Sequence, residues 1–477
     1  MVASLGKQQL QLSQIELMRA ADARLEGRFA SKLQVNRDLR RTLVSFQANK
    51  REPGFRWFKY KEGFSSALVD YVLDRCQITS GAVIDPFAGS GAALFVASRR
   101  GLDAVGIELL PIGCEMIRAR QEAIANRSEI IEALKKWNAS SRWIESKQPG
   151  TPFPHLAITK GAFPPNNEER LGKYLRAVAY LKDESTKTVL RAAALAILEE
   201  ISFTRKDGQY LRWDHRSGRR QGAKPFNKGA IKEFGAAIRE KLTQFLEDLD
   251  DTPRLFDPAP RARRGKIQVI GGSCLERLPK LSTSSFDALM TSPPYCNRYD
   301  YTRTYALELA LLGVDEALLR ALRQRMVSCT VENREKTGLD AFFSPATLEK
   351  ANAVFQSQEL LRCIVDYLEA LKAEGQLNNN GIPRMVKNYF WELTLTLIEC
   401  QRILKPGAPC IMVNDNVRYA GISIPVDLIL SRIAEEIGFE IERIWVLPVG
   451  KGNSSQQMGE HGRAELRKCV YLWRVSK

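Results

Sequence analysis

Between residues 10 and 33 apolar side chains return every three or four positions (Leu10, Ile15, Leu17, Met18, Leu25, Phe29, Leu33) among many arginines and lysines, which predicts one or two amphipathic helices within an N-terminal helical segment, 1–50. A second helix-period run over 65–76 leads through Thr79, Ser80 and Gly81 into the strand AVID and then the turn PFAGSG. An apolar helix over 92–100 and the strand DAVGIEL, which ends on an acid, complete a β-α-β unit. From about 112 the pattern turns helical and charged, as in CEMIRARQEAIANRSEIIEALKKW, TVLRAAALAILEEIS and AIKEFGAAIREKLTQFLEDL, with no persistent strand alternation. That stretch is too long for a loop inside a compact sheet and is expected to be an inserted helical domain, 116–264. Strand-like segments resume at KIQVIGG and FDALMTS, give way to a second helical insertion over 301–384, and finish with APCIMVND, FEIERIWVLPV and KCVYLWRV, the last two spaced as an antiparallel hairpin. Helices KNYFWELTLTLIECQRIL and VDLILSRIAEEIG lie between these last strands. The repeated alternation predicts an α/β fold with a doubly wound, mostly parallel sheet built from 51–115, 265–300 and 385–477.

A chain of 477 residues has ample material for a core, and its 44% apolar and 26% charged residues are those of a globular protein. No window approaches the roughly 18 apolar residues of a membrane span. The start, MVASLGKQQLQLSQ, lacks the apolar core of a signal peptide, so a cytoplasmic, nucleoid-associated location without membrane contact is expected. Nine cysteines without a CxxC pair and three scattered histidines argue for reduced thiols and against a metal site. The net charge of +16 changes the picture more, because such an excess favours a polyanion partner, although a merely basic protein has the same arithmetic.

In AVIDPFAGSGAALF a strand enters a glycine-containing turn that opens a helix, an arrangement that lets backbone approach a ligand closely. Asp85, Pro86, Phe87, Ala88, Gly89 and Gly91 form that turn. Glu108, about twenty residues on, is placed to accept hydrogen bonds from a ribose diol. A phosphate ligand fits less well, since neither GxGxxG nor a P-loop lysine is present and Asp85 would repel it. Asp85 suits an ammonium group, and a nucleoside carrying a sulfonium and an amino acid, S-adenosylmethionine, meets both demands. The bland alternative is a structural turn with a solvated aspartate.

DPFAGSG followed by TSPPY resembles the amino-methyltransferases of DNA, which methylate cytosine N4 or adenine N6. The resemblance covers the β-α scaffold and neither the insertions nor the N-terminus, and it implies a seven-stranded Rossmann-like methyltransferase sheet. In that family the serine form, SPPY, accompanies mostly cytosine-N4 enzymes, and Asp-Pro-Pro-Tyr mostly adenine-N6 enzymes. The segment FRWFKYKEGFSSALV occupies the place of the family's helix that holds the methionine part of the cofactor, which makes Lys61, Glu62, Phe64 and Ser65 candidates. One departure stands out. Where the family often has Gly-Asp-Ser after the third strand, this chain has Gly271, Gly272 and Ser273, so that Ser273 would have to serve through its hydroxyl.

The chemistry implied by the resemblance accounts for the motif. An exocyclic amine conjugated to a pyrimidine needs its N–H groups engaged before its lone pair can attack. Ser292 can accept one and the carbonyl of Pro293 the other, with Pro294 adding rigidity and Tyr295 a stacking face. Direct displacement then gains from alignment, worth roughly 7–11 kcal/mol, and from aimed dipoles, about 3 kcal/mol each. A carbon-5 route would need a cysteine nucleophile, usually after a single proline, whereas Cys296 follows the tyrosine.

A duplex base must be flipped to reach such a pocket, at a cost offset by backbone and groove contacts. The segment FTRKDGQYLRWDHRSGRRQGAKPFNKG interleaves Arg205, Lys206, Arg212, Arg216, Arg219, Arg220, Lys224 and Lys228 with Tyr210, Trp213 and Phe226, and is expected either to bind double-stranded DNA or to be a solvated basic loop. NRYDYTRTY, after TSPPY, is expected to order around the flipped base or to pack against the second insertion. The polar loop VGKGNSSQQMGEHGR, with Lys451 and Arg463, either closes over the base or is a plain surface hairpin. The expected activity is site-specific methylation of cytosine N4 in DNA, with 116–264 reading the site and a cognate restriction or defence-system protein as a partner. Adenine N6, an RNA guanine-N2 or protein-glutamine substrate, and a silent DNA-binding relative are the alternatives.

Overall fold

The computed structural model describes residues 2–61, 63–140, 147–207, 210–220, 224–250, 264–448 and 465–477. Glu62 and the loop holding Lys451 and Arg463 lie outside the described residues. Twelve strands are described: β1 (Leu33–Val35), β2 (Ala82–Asp85), β3 (Asp103–Glu108), β4 (Thr204–Asp207), β5 (Tyr210–Trp213), β6 (Ile267–Gly271), β7 (Ala288–Thr291), β8 (Pro409–Asp415), β9 (Val417–Tyr419), β10 (Ile422–Ile424), β11 (Phe439–Val446) and β12 (Lys468–Val475). Eight of them form one sheet in the order β1-β11-β12-β8-β7-β2-β3-β6, and β12 alone runs antiparallel to its neighbours.

The sheet therefore has eight strands and not seven. The additional one, β1, comes from the segment expected to hold one or two amphipathic helices and pairs parallel with β11 through Leu33↔Ile444 and Val35↔Val446. Three residues at a sheet edge are too few to show an alternation in sequence. The remainder of that segment is largely the helix Val2–Phe29, as its apolar spacing requires.

The period of two is clear in the strands that build the core. Val83, Ala288, Met290, Ile411, Val413, Val470 and Leu472 face one hydrophobic cluster with the helices Ser66–Arg75 and Ala92–Arg99. Their neighbours Ile84, Leu289, Cys410, Met412, Tyr471 and Trp473 face another, with the helices Ile382–Ile403 and Val426–Ile437. Both faces are covered, as a largely parallel sheet demands.

The helices Pro111–Ala125, Arg127–Ala139, Pro165–Ala179, Glu184–Ile201 and Phe234–Asp250 build a third cluster together with Tyr305, Leu309 and Leu319 of the second insertion. It is joined to the scaffold by the segment before the glycine turn, where Trp57 stacks on Phe245 at 3.9 Å and gives its indole N–H to Asp248. The insertion is not purely helical: β4 and β5 pair as an antiparallel hairpin within the basic segment. TRKD carries no apolar alternation, which is why the strand was invisible in the sequence.

Candidate active site

β2 and β7 lie side by side and parallel, yet the chain leaves β2 towards β3 and β6 and leaves β7 in the other direction, towards β8. At such a reversal the connections diverge and leave a crevice at the carboxyl ends of the strands. The crevice is spanned by one buried hydrogen bond, from the hydroxyl of Thr291 to Asp85 Oδ1 at 2.5 Å. Above it lies a cavity with about 790 Å³ of empty space, counting the part open to solvent.

Asp85, Pro86, Phe87, Ala88, Gly89, Glu108, Ser273, Phe64, Ser292 and Pro294 line this cavity, so the glycine turn and the TSPPY motif share one space. Gly91, Lys61, Ser65, Pro293 and Tyr295 do not. Gly91, at φ +82°, caps the helix Ala92–Arg99, where a Cβ would stand 2.9 Å from Ile117. Ser65 caps the helix Ser66–Arg75, and the Lys61 amide donates to the Tyr305 hydroxyl at 2.6 Å. Phe46, Tyr60, Met326 and Val327 line the cavity without having been anticipated, and Tyr301, from the stretch NRYDYTRTY, lines it too. Tyr60 did carry a signal, since Phe55, Trp57, Phe58 and Tyr60 crowd four aromatics into six positions just before the turn. Met326 and Val327 are brought in from the second insertion by the tertiary path alone.

Gly89 adopts φ +55°, and a Cβ there would meet the Tyr60 ring at 3.0 Å, so the turn can be this tight only with glycine. Its amide donates to Glu108 Oε2 at 2.6 Å, while the Leu110 amide donates to Oε1 at 2.8 Å. Each Glu108 oxygen retains a lone pair for a hydroxyl donor. Burial pushes the Glu108 carboxyl up to about 8, against the pull of those amides. Burial likewise raises Asp85 to about 7, opposed by the bonds from Thr291 and from the Phe87 amide, both of which fall on Oδ1. Two desolvated carboxyls in one cavity suit a ligand that brings its own positive charge and hydroxyl donors.

The Ser292 hydroxyl lies 3.2 Å from the Val413 carbonyl and 3.1 Å from the Tyr295 hydroxyl, and donating to either leaves oxygen density to accept an N–H. Tyr295 is 2% exposed, with the Lys468 ammonium 5.3 Å from its ring centre, so a base can stack on it only after these covering groups shift. Burial raises the Cys296 thiol far above the range in which a thiolate forms at neutral pH, which removes it as a nucleophile. Ser273 is buried and gives its hydroxyl hydrogen to the Arg325 carbonyl at 2.7 Å, leaving only its acceptor side for a ligand. Among the described residues no cluster of His, Cys, Asp and Glu is arranged to hold a metal.

The basic segment divides in two. Arg205, Arg220 and Lys224 are exposed, and Arg212 lies half-buried over the Phe226 ring at 4.1 Å while paired with Asp207. Arg219 stacks on Trp213 at 3.6 Å and donates to the Lys160 carbonyl at 2.8 Å, and Arg216 grips the buried Asp214. Tyr210 takes its place on β5 opposite Asp207. Lys206 departs from the expectation for the segment: it alternates inward along β4, is 5% exposed, and pairs with the wholly buried Glu308. Its ammonium also lies 4.9 Å from the Phe58 ring and 5.0 Å from that of Tyr305, which stacks on Tyr60 at 5.2 Å. Lys228 also turns inward, to the carbonyls of Glu199 and Ser202, where burial lowers it to about 8.

A doubly wound sheet with a glycine turn, two ligand-facing acids and a Ser-Pro-Pro-Tyr motif at its switch point has the construction of a nucleoside-dependent methyltransferase. Comparison with known proteins agrees over nearly the whole length. The chain is 50% identical over 454 residues to the type II methyltransferase M.AvaI of Nostoc sp., a match spanning 94% of this chain and 92% of the relative. The M.AvaI of Anabaena variabilis matches to the same extent, and M.BsoBI of Geobacillus stearothermophilus is 40% identical over 476 residues, 94% of this chain and 91% of the relative. No family model matches the chain. The protein belongs to the family of type II methyltransferases, enzymes whose methyl donor is S-adenosylmethionine.

That donor fits the cavity: its ammonium and sulfonium would answer Asp85, and its ribose hydroxyls would reach Glu108. Because burial raises both acids, the free protein keeps them protonated at a pH where the unfolded chain has ionised. Their contribution to stability is therefore full below the ordinary carboxylate range and is lost as pH rises through about 7 to 8. A ligand that engages the ionised forms must release protons on binding. Affinity for S-adenosylmethionine, measured calorimetrically, should rise from about pH 6 to about pH 8.5, with a flatter profile in Glu108→Gln; a profile level in the wild type would contradict this placement.

The inward Lys206 also separates from its exposed neighbour. Lys206→Met should cost about 3 kcal/mol of stability in chemical denaturation, because Glu308 is left buried without its partner. It should leave the salt dependence of polyanion binding unchanged, whereas Arg205→Ala should weaken that binding with little loss of stability.

Proposed function

We propose that the protein is a site-specific DNA methyltransferase that transfers the methyl group of S-adenosylmethionine to the exocyclic N4 amine of cytosine. The observation that carries this reading is the shared cavity: Ser292 and Pro294 open on the same space as Asp85 and Glu108, in a chain whose full-length relatives are type II methyltransferases. An amine that reaches Ser292 through this opening meets the methyl donor with no need of a covalent enzyme intermediate. The Ser292 hydroxyl accepts one N–H, which helps to free the attacking lone pair from conjugation; the Pro293 carbonyl, which does not line the cavity in the free protein, takes the other only once the base is seated beside it. The serine form of the motif supports cytosine over adenine.

The target base leaves the duplex to enter, and the insertion over 116–264 reads the site. Its outward face, with Arg205, Arg212, Arg220 and Lys224, supplies the backbone contacts that offset unstacking. The words "type II" in the relatives' names support a role that protects nucleoid DNA in the cytoplasm against a cognate restriction protein.

Incubation with tritiated S-adenosylmethionine and unmodified duplex, followed by digestion and mass spectrometry, should yield N4-methylcytosine. N6-methyladenine would reassign the base, and label in transfer RNA alone would overturn the DNA substrate. Ser292→Ala should lower kcat by about a hundredfold, the scale of one lost aimed dipole, and leave the affinity for S-adenosylmethionine within about twofold of the wild type. An unchanged kcat would remove Ser292 from the chemistry.

A further inference from the structure

The segment NRYDYTRTY, directly after Ser-Pro-Pro-Tyr-Cys, is packed almost throughout. Tyr299 and Tyr301 are buried with their rings 4.7 Å apart, and Asp300 caps the helix Tyr301–Thr304 by accepting from the Thr302 amide at 2.9 Å. The nearby arginines are committed to acids, Arg303 to Glu332 at 2.9 Å and Arg323 to Asp300 at 3.0 Å.

Arg298 is the exception. It is half-buried, and among the described residues its Nε is shielded from solvent without a hydrogen-bond partner and it makes no ion pair. Its backbone sits at φ +65°, the left-handed region that a long side chain occupies only when its surroundings hold it there. Those surroundings are evident: the Asn297 amide donates to the Tyr295 carbonyl at 2.7 Å, Asn297 Oδ1 accepts from the Tyr299 amide at 3.1 Å, and the Tyr419 hydroxyl donates to the Cys296 carbonyl at 2.6 Å. The fold thus spends backbone strain to present a cation with nothing to bind. The shielded Nε–H is unfavourable without an acceptor, and the rest of the half-exposed guanidinium remains open, so an anion that reaches it would satisfy both the N–H and the charge.

The cofactor's carboxylate is not that anion, because Pro294 and Tyr301, on either side in the chain, line the cofactor cavity and Arg298 does not. What remains is an anion that arrives with the methyl acceptor. On the reading that this acceptor is a base flipped from DNA, we propose that Arg298 binds the backbone phosphate beside the target nucleotide and so holds the flipped base against Ser292. A planar fork of donors matches two phosphate oxygens, and a fixed backbone presents it with little loss of freedom on binding. Arg298 is here a positioning residue, since it grips the nucleotide and not the reacting amine.

The test is fluorescence-anisotropy titration of unmodified duplex against wild type, Arg298→Ala and Arg298→Lys over a range of salt, with cofactor affinity measured alongside. Arg298→Ala should bind duplex about tenfold more weakly, with the slope of log K against log salt smaller by about 0.9, while Arg298→Lys keeps the slope. Affinity for S-adenosylmethionine should be unchanged in both variants, which also reports that they fold. A slope equal to wild type in Arg298→Ala, or a parallel loss of cofactor affinity, would overturn the assignment. Neutral methylphosphonate linkages placed in turn around the methylated base sharpen it: one position should weaken binding by the wild type and not by Arg298→Ala, whereas equal losses at every position would count against it. If the wild type methylates no duplex at all, the functional reading fails and takes this inference with it; if it does and the slopes coincide, only the role of Arg298 fails.

Discussion

The hydrogen bond from Thr291 to Asp85 joins the two halves of the site at the line where the sheet reverses its direction of winding. One partner opens the glycine turn and the other ends the strand that delivers Ser292, so the bond fixes the spacing of the two motifs on the cavity. It is wholly buried, and it is among the few forces that keep Asp85 from being a plain neutral acid. Pro293 and Pro294 follow at once because neither can continue the β7 ladder. The chain must turn out of the sheet there, and in doing so it carries Ser292 and Pro294 to the cavity wall.

The wall facing the insertion is aromatic. Tyr60 rests on Gly89, Tyr305 stacks on Tyr60, and the Lys206–Glu308 pair sits beside Tyr305 at the root of the β4–β5 hairpin. A ribbon whose outer face is basic thus stands on an inner residue that touches the packing of the cofactor turn. The two long interruptions of the sheet are consequently not appendages. The first supplies Lys206, and the second supplies Glu308 to meet it, as well as Met326 and Val327 at the cavity.

Much of the scaffold was legible in the sequence because both faces of a buried sheet impose a strict period of two on its strands, and because turns that need glycine or exclude ladder bonds leave punctuation. AVIDPFAGSG and TSPPY belong to that class, and with Glu108 they fell on one cavity. The parts that were not legible share a physical reason: their placement is decided by partners distant in sequence. Leu33–Val35 is a strand only because β11 offers an edge, and Lys206 turns inward only because Glu308 waits 102 residues away. A basic stretch read in isolation cannot show which of its cations are already neutralised. The same limit hid Arg298, which among the described residues has no ion-pair partner where the nearby Arg303 and Arg323 have one.

The electrostatics of the two acids bear on the order in which the site is filled. With Asp85 and Glu108 raised by burial, the free cavity near neutral pH is less negative than its composition implies. That moderates its repulsion of a polyanion, while a cationic ligand that ionises both acids brings compensating charge and leaves the balance little changed. The chain carries a positive excess of +16 overall, and on the proposed function the larger partner is attracted to the insertion and to Arg298, apart from the cavity. On the proposed function, separation of the two charge systems would let one site hold a cation while its rim holds an anion a few residues away, as a methyl transfer between such partners requires.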